Sequence, residues 1–159
     1  MKIGISACLL GEQCTWKGTN NKCEKLIQLL SEHTLLSEHP LVKICPEVMG
    51  GLSIPRHPCE IINLDPLLVE TKDHQDYTSY YLSGSLQSLE KTKDCDFYIL
   101  KANSPSCGNE YIYDGTFTHT LIKGKGVFAS MIKDKPIYNE KQLEEIKEYL
   151  RRKGKWDIY

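Results

Sequence analysis

A chain of 159 residues with a formal charge of −1 can bury one substantial core, and it lacks the basic excess of a nucleic-acid or anionic-membrane binder. No apolar stretch approaches the ~20 residues that span a bilayer. Met1-Lys2 leads straight into a short apolar run with no secretory leader. The expectation is therefore one domain, residues 1–159, in the cytoplasm, with no nucleic-acid or membrane partner and the oligomeric state open.

Lys2–Ser6 reads as a buried strand, followed by a polar loop to about Asn21 with Gly18 as a turn residue. Asn20 or Thr19 is a plausible cap for a helix whose apolar stripe is Leu26, Ile27, Leu29 and Leu30, with His33 and His39 at its exit and Pro40 preventing continuation. Leu41–Ile44 is a second strand. Pro46–Pro58 carries so many prolines and glycines that an ordered, functional loop is expected there instead of regular structure. Cys59–Glu70 reads as a strand-like or irregular excursion broken at Asp65-Pro66. A helix follows from about Asp76 to Lys93, with Tyr77, Tyr80, Tyr81, Leu82, Leu86 and Leu89 as its buried face. Phe97–Leu100 is a third core strand. Asp114-Gly115 suggests a tight type I′ hairpin over 111–118. Gly124-Lys125-Gly126 reads as an ordinary connection to a short helix, Val127–Ile132. A fourth strand is read at Pro136–Tyr138, and a last helix starts at Asn139 with Gln142 closing a capping box. Arg151, Arg152, Lys153 and Lys155 complement the dipole at its end.

Seven cysteines, odd in number and irregular in spacing, argue against a disulfide framework and for metal, cluster or catalytic use of some of them. Each of three apolar runs closes on a cysteine: Cys8, Cys45 and Cys107. Cys107 lies in Ser104-Pro105-Ser106-Cys107-Gly108, where Pro105 fixes φ and Gly108 permits a left-handed turn, so its thiol is expected at a rigid loop tip. Alternating strands and helices imply an α/β domain with a largely parallel sheet, whose ligands bind beyond the carboxyl ends of the strands. Three thiols 37 and 62 residues apart would then meet in one crevice. Three ligands leave one coordination position open, on zinc or on an iron–sulfur cluster. The absence of C-x-x-C or H-x-x-x-H pairs leans toward a cluster. Cys23 and Cys95 read as packing residues, and Cys14 and Cys59 as bordering the pocket. His74 and His119 read as surface residues.

Ser-Ala-Cys-Leu-Leu-Gly at 6–11, Cys-Pro-Glu-Val-Met-Gly-Gly at 45–51, Pro-Arg-His-Pro-Cys-Glu-Ile at 55–61 and Lys-Ala-Asn-Ser-Pro-Ser-Cys-Gly at 101–108 carry a further signal. With Tyr-Asp-Gly-Thr-Phe at 113–117, these blocks resemble a bacterial domain-of-unknown-function family (523) that includes thiouracil desulfidase. The resemblance implies a [4Fe-4S] cluster on Cys8, Cys45 and Cys107, with one iron not ligated by protein and free to take substrate sulfur. It also implies Glu47 and Ser104 as catalytic residues, and a small thiocarbonyl compound such as thiouracil as substrate, its sulfur replaced by oxygen without net redox change. Cys14, Trp16 and Thr19 depart from the family's usual residues in the first loop. Such a cluster is expected to be oxygen-sensitive and lost on aerobic preparation.

The residues themselves agree with this chemistry. Glu47, stiffened by Pro46, can take a proton from water, although capping a helix or pairing with Arg56 are its plainer roles. Ser6, Arg56 and Ser106 are candidate substrate contacts, and Gly50 and Gly51 would let backbone approach a flat heterocycle. The fold expected is a three-layer, Rossmann-like α/β domain with a mostly parallel sheet and an added β-hairpin. A non-catalytic sulfide-binding or sensing module and a three-thiolate zinc hydrolase are the competing readings.

Overall fold

The structure, a computed structural model, describes residues 1–33 and 41–156. Every residue of β1 (Ile3–Ser6) is buried, because the strand is covered on both faces. Its alternate residues point to opposite sides. Ile3 and Ile5 join Leu26, Leu30, Ile146 and Leu150 in one core, while Gly4 lies under the Tyr98 ring on the other side. Strand β2 (Leu41–Ile44) pairs parallel with β1 on one side, and β5 (Phe97–Ile99) pairs parallel with it on the other. Strand β8 (Ile137–Tyr138) extends the sheet parallel to β5, so the order is β2-β1-β5-β8 and the sheet is parallel throughout.

Helices α1 (Glu24–His33) and α5 (Leu143–Trp156) cover the face bearing Ile3, Ile5, Phe97 and Ile99. The opposite face carries Tyr98 and Leu100. There Tyr98 donates its hydroxyl to Thr92, just beyond α3 (Thr78–Lys91), and packs against Phe128 of α4 (Val127–Met131). Three layers result, as the alternation of strands and helices predicts. No helix among the described residues is long and apolar enough to cross a membrane.

Several elements depart from the sequence-based reading. The start of the first loop is a 3-10 turn, Ala7–Leu10, ended by Gly11 at φ +102°. The Pro/Gly-rich loop opens with a one-turn helix, α2 (Pro46–Met49), because Pro46 is preorganised for a first helical position. Asn20 accepts from the Lys22 N–H and does not cap α1, which starts four residues later at Glu24. The 59–70 region is an antiparallel hairpin, β3 (Cys59–Leu64) with β4 (Leu67–Thr71), turned by Asp65-Pro66. Strand β6 (Tyr111–Tyr113) pairs with β7 (Leu121–Lys123) and not with residues 116–118. Phe117 and His119 are both left-handed at φ 59°, so the chain from 114 to 120 is a broad loop instead of a two-residue turn. Gln142 does accept the Asn139 N–H, but regular helix begins only at Leu143. His39 and Pro40 lie outside the described residues.

Helix α3 differs most. Its buried face is Tyr81, Gly84, Ser85 and Ser88, whereas Leu82 and Leu86 are 37% and 58% exposed and Tyr80 is exposed as well. The cause is the closeness of α2. A Cβ on Gly84 would stand 1.7 Å from the Pro46 carbonyl oxygen, and one on Gly50 would stand 2.0 Å from the Tyr80 carbonyl oxygen. At the closest approach only glycine fits, and Ser85 and Ser88 are the small side chains beside it. The glycine that weakened the helix in sequence is the residue that lets it dock.

Candidate functional site

Strand order places the switch in winding direction between β1 and β5, where a crevice opens beyond the carboxyl ends. Cys8 sits two residues past β1, Cys45 immediately past β2, and Cys107 on the loop after β5. All three line one cavity of about 560 Å³. The convergence expected from sequence is present.

The Cys107 loop is held from below. Ser104 Oγ accepts the backbone N–H groups of Ser106 and Cys107 at 3.2 and 3.1 Å, and Ser106 Oγ donates toward Cys107 Sγ at 3.6 Å. The start of α4 closes the other side: the N–H groups of Gly126, Val127 and Ala129 donate to the carbonyls of Gly108, Pro105 and Ser106. Gly126 is essential to this approach, since a Cβ there would lie 2.5 Å from the Ser106 carbonyl carbon. Gly108 has no positive φ, contrary to the sequence-based expectation. A Cβ on it would press on the Tyr111 and Ser104 carbonyls, and the left-handed residue of the loop is Asn103, at φ 66°. Cys107 is also no bare loop tip: it is 4% exposed and packs with Ile44, Tyr98, Leu100 and Phe128.

The thiols differ in acidity. Cys8 is drawn down to about 7, chiefly by the hydrogen bond from the Cys14 thiol, with Asn21 and the Lys101 charge assisting against burial. Cys45 is also lowered, first by Cys14 and then by the Val48 N–H at the start of α2. Burial pushes Cys107 up to about 12, against hydrogen bonds from Ser6 and Ser106. Cys14 is raised by the neighbouring Cys45 and Cys8 thiols and by burial. Burial raises Cys59 to about 11, against a hydrogen bond with Tyr81. Cys23 packs on one core and Cys95 is buried in the other, as read. All seven cysteines are free thiols.

Glu47, in the first turn of α2, meets two partners. Arg56 Nη2 lies 2.5 Å from Oε2, and the Tyr81 hydroxyl donates to Oε1 at 3.0 Å. The Arg56 side chain is only 4% exposed and also donates to the Cys14 carbonyl at 2.9 Å. Arg56 thus serves Glu47 and the first loop more than it reaches into the open cavity. Ser6 lines the cavity, and its hydroxyl oxygen accepts the Lys101 N–H, which fixes the 101–108 segment to β1. Gly50 and Gly51 are not on the cavity wall. Gly50 faces the α3 backbone and Gly51 the Tyr80 ring, so their smallness serves helix docking and no ligand approach.

Reading from sequence missed Tyr81 as a site residue, because tyrosines at helical spacing read as core. Tyr81 is indeed 2% exposed, yet its hydroxyl reaches Glu47. Lys101, paired with Glu140 at 3.1 Å, and the aromatic residues Trp16, Tyr113 and Phe117 also line the cavity. His119 is exposed as read, yet it stands at the same mouth with its ring edge-on to Tyr113.

Among the described residues, no three His, Cys, Asp or Glu side chains converge closely enough to hold a single metal ion. A [4Fe-4S] cluster gives each thiolate its own iron and asks only that thiols face a common space. Cys8, Cys45 and Cys107 line one space and so fit that group.

Known proteins are similar to this chain over nearly its whole length. The uncharacterized protein YbbK of Bacillus subtilis (strain 168) is 36% identical over 155 residues, which cover 91% of this chain and 99% of YbbK. The solved structure of the [4Fe-4S]-dependent thiouracil desulfidase TudS superposes with a TM-score of 0.81 at 31% identity, covering 94% of this chain and 97% of TudS. The sequence pattern of 2-thiouracil desulfurases runs through residues 3–142, a span that takes in every loop of the crevice. The chain belongs to the 2-thiouracil desulfurase family, the domain-of-unknown-function family 523 that includes thiouracil desulfidase.

Proposed function

We propose that this chain is a desulfidase that exchanges the sulfur of a small thiocarbonyl compound, such as a thiolated pyrimidine, for oxygen. The observation that carries the reading is the meeting of Cys8, Cys45 and Cys107 on one cavity with the Glu47 carboxylate beside them. The three cysteines would hold a [4Fe-4S] cluster, leaving one iron without a protein ligand. When bound, such a cluster supplies a sulfur-seeking Lewis acid that polarises C=S. The net exchange takes thiocarbonyl and water to carbonyl and hydrogen sulfide, with no electron gained or lost.

The chain's own groups supply the proton handling. Glu47 is fixed by Arg56 on one oxygen and Tyr81 on the other, so a carboxylate lone pair keeps a set direction for the proton of an attacking water. Ser104 and Ser106, linked at 3.0 Å, offer hydroxyls to the polar edge of a heterocycle. Trp16, Tyr113 and Phe117 give the mouth flat apolar surface suited to a planar ring.

Anaerobic reconstitution followed by assay of sulfide release from 2- and 4-thiouracil tests the reading. Wild type is expected to bind iron and labile sulfide and to release substrate sulfide. Cys107→Ser should lose iron, and Glu47→Gln should keep it with turnover lowered at least a hundredfold. Iron-loaded wild type that releases no sulfide from any thiocarbonyl would point to a sulfur-binding module instead.

A further inference from the structure

The loop from 114 to 120 at the cavity mouth is fastened on both of its sides. On the inner side is Glu60 of β3, which is 9% exposed and lines the cavity. Its Oε1 accepts the backbone N–H groups of Gly115 at 3.0 Å and Phe117 at 3.2 Å. Gly115, at φ +92°, lets the loop sit directly on β3, since a Cβ there would stand 2.9 Å from the Ile61 carbonyl oxygen. The outer side is closed by hydroxyls in series. Thr116 donates to Asp114 Oδ1 at 2.6 Å, Thr116 and Thr118 meet at 2.6 Å, and Thr118 and Thr120 meet at 2.8 Å. The Asp114 N–H donates to the Thr120 carbonyl across the base.

What this frame holds is Phe117. Its backbone is left-handed at φ 59°, a conformation that costs free energy for a bulky side chain and persists only where neighbours impose it. Core packing does not offset that cost: among the described residues, Phe117 joins none of the three buried clusters. Its half-buried side chain instead lines the crevice with Cys8, Cys45 and Cys107. Hydrogen bonds to a charged acceptor are stronger than those to a neutral one, so a buried carboxylate is suited to impose the turn. We propose that Glu60 is a positioning residue, holding Phe117 as the face on which the ring of a bound thiocarbonyl heterocycle stacks.

The inference rests on the desulfidase reading above and deepens it. Stacking on an aromatic side chain is tolerant of ring identity, because every planar base has a π-face. Phe117 thus grips a flat ring as such and does not tell 2-thiouracil from 4-thiouracil. Glu60 moves no proton in this account. Its effect falls on KM, since a face set in place before the substrate arrives serves ground state and transition state alike.

The test uses the full chain, reconstituted without oxygen, as wild type, Glu60→Ala, Glu60→Gln, Phe117→Asn and the Glu60→Ala, Phe117→Asn double variant. Iron per chain, kcat and KM for sulfide release from 2- and 4-thiouracil, and amide exchange over 114–120 are measured. All five proteins are expected to hold the same iron. Phe117→Asn, which tolerates left-handed backbone but lacks the ring, should raise KM about tenfold for both substrates, with kcat changed less than about twofold. Glu60→Ala should do the same and speed exchange of the 115 and 117 amides. Glu60→Gln keeps an acceptor oxygen and should stay within about threefold of wild type in KM. The double variant should be little worse than Phe117→Asn, because Glu60 acts through Phe117. A collapse of kcat in Glu60→Gln would make Glu60 a proton carrier and overturn the inference. Unchanged KM in Phe117→Asn or Glu60→Ala, or loss of iron in Glu60→Ala, also overturns it while leaving the desulfidase reading in place. Iron-loaded wild type that releases no sulfide removes that reading and the inference with it. If Glu60→Ala does not fold, Glu60→Met serves as the variant without a carboxylate.

Discussion

Glu47 shows how a single carboxylate is made directional. It is the second residue of a four-residue helix, and its oxygens are divided between a guanidinium that is almost wholly buried and the hydroxyl of Tyr81, which is 2% exposed. A hydrogen bond from a neutral donor to a charged acceptor contributes about 1.5 kcal/mol, roughly tenfold in a rate if it is fully expressed in the transition state. Tyr81→Phe is therefore expected to lower kcat for sulfide release about tenfold with little change in KM, and to lower unfolding stability by about 1 kcal/mol. Steady-state kinetics and denaturant unfolding check the two effects separately. The sequence could single out Glu47 as a candidate, from the family resemblance and its place two residues beyond a strand-end cysteine. It could not name Tyr81 in this role. Helical spacing reports that a side chain turns inward and says nothing of what its polar tip meets there.

Helix packing carries the next level of control. Hydrophobic periodicity assigned α3 a face of Leu82 and Leu86, yet the helix docks through Gly84, Ser85 and Ser88. Apolar residues mark a buried face only where there is room for them, and here the backbones of α2 and α3 nearly touch. Ser85 illustrates the same constraint, with a buried hydroxyl that finds no partner and is tolerated for its size. Gly84→Ala should gain about 1 kcal/mol of helix propensity but lose more to the clash with the Pro46 carbonyl, for a net destabilisation of about 2 kcal/mol. Because Pro46 lies between Cys45 and Glu47, the same change should reduce iron loading. Thermal unfolding of the metal-free chain and iron analysis of the loaded chain measure these two consequences.

At the scale of the whole molecule, the parallel sheet gathers cysteines from points far apart in sequence onto one cavity. Three strand-end cysteines with an alternating strand–helix order were enough to read the sheet and the convergence from sequence. The aromatic rim was not readable in the same way. It depends on a hairpin whose second strand lies at 121–123 and on left-handed backbone at Phe117 and His119, which no periodicity marks. A group bound by three separated segments stabilises the folded state by mass action. A thousandfold excess over Kd is worth about 4 kcal/mol, and for a chain of this size each kcal/mol moves Tm by about 2–4 °C. Anaerobic loading is thus expected to raise Tm by roughly 10 °C, and iron chelation to reverse the rise, as followed by scanning calorimetry.

The excursion from 109 to 125 leaves and rejoins the body at almost one point. The Gly124 N–H donates to the Glu110 carbonyl and the Gly126 N–H to the Gly108 carbonyl, while α4 grips the Cys107 segment directly. Between those points Ile112 is buried in the core and bridges to Asn103, and the Gly115 and Phe117 N–H groups donate to Glu60, while the outer turn of the ribbon, 118–121, is exposed. On the proposed reading, preference among ring substrates would be retuned at that outer turn, while the stem carrying Ile112 stays fastened to the segment that bears Cys107.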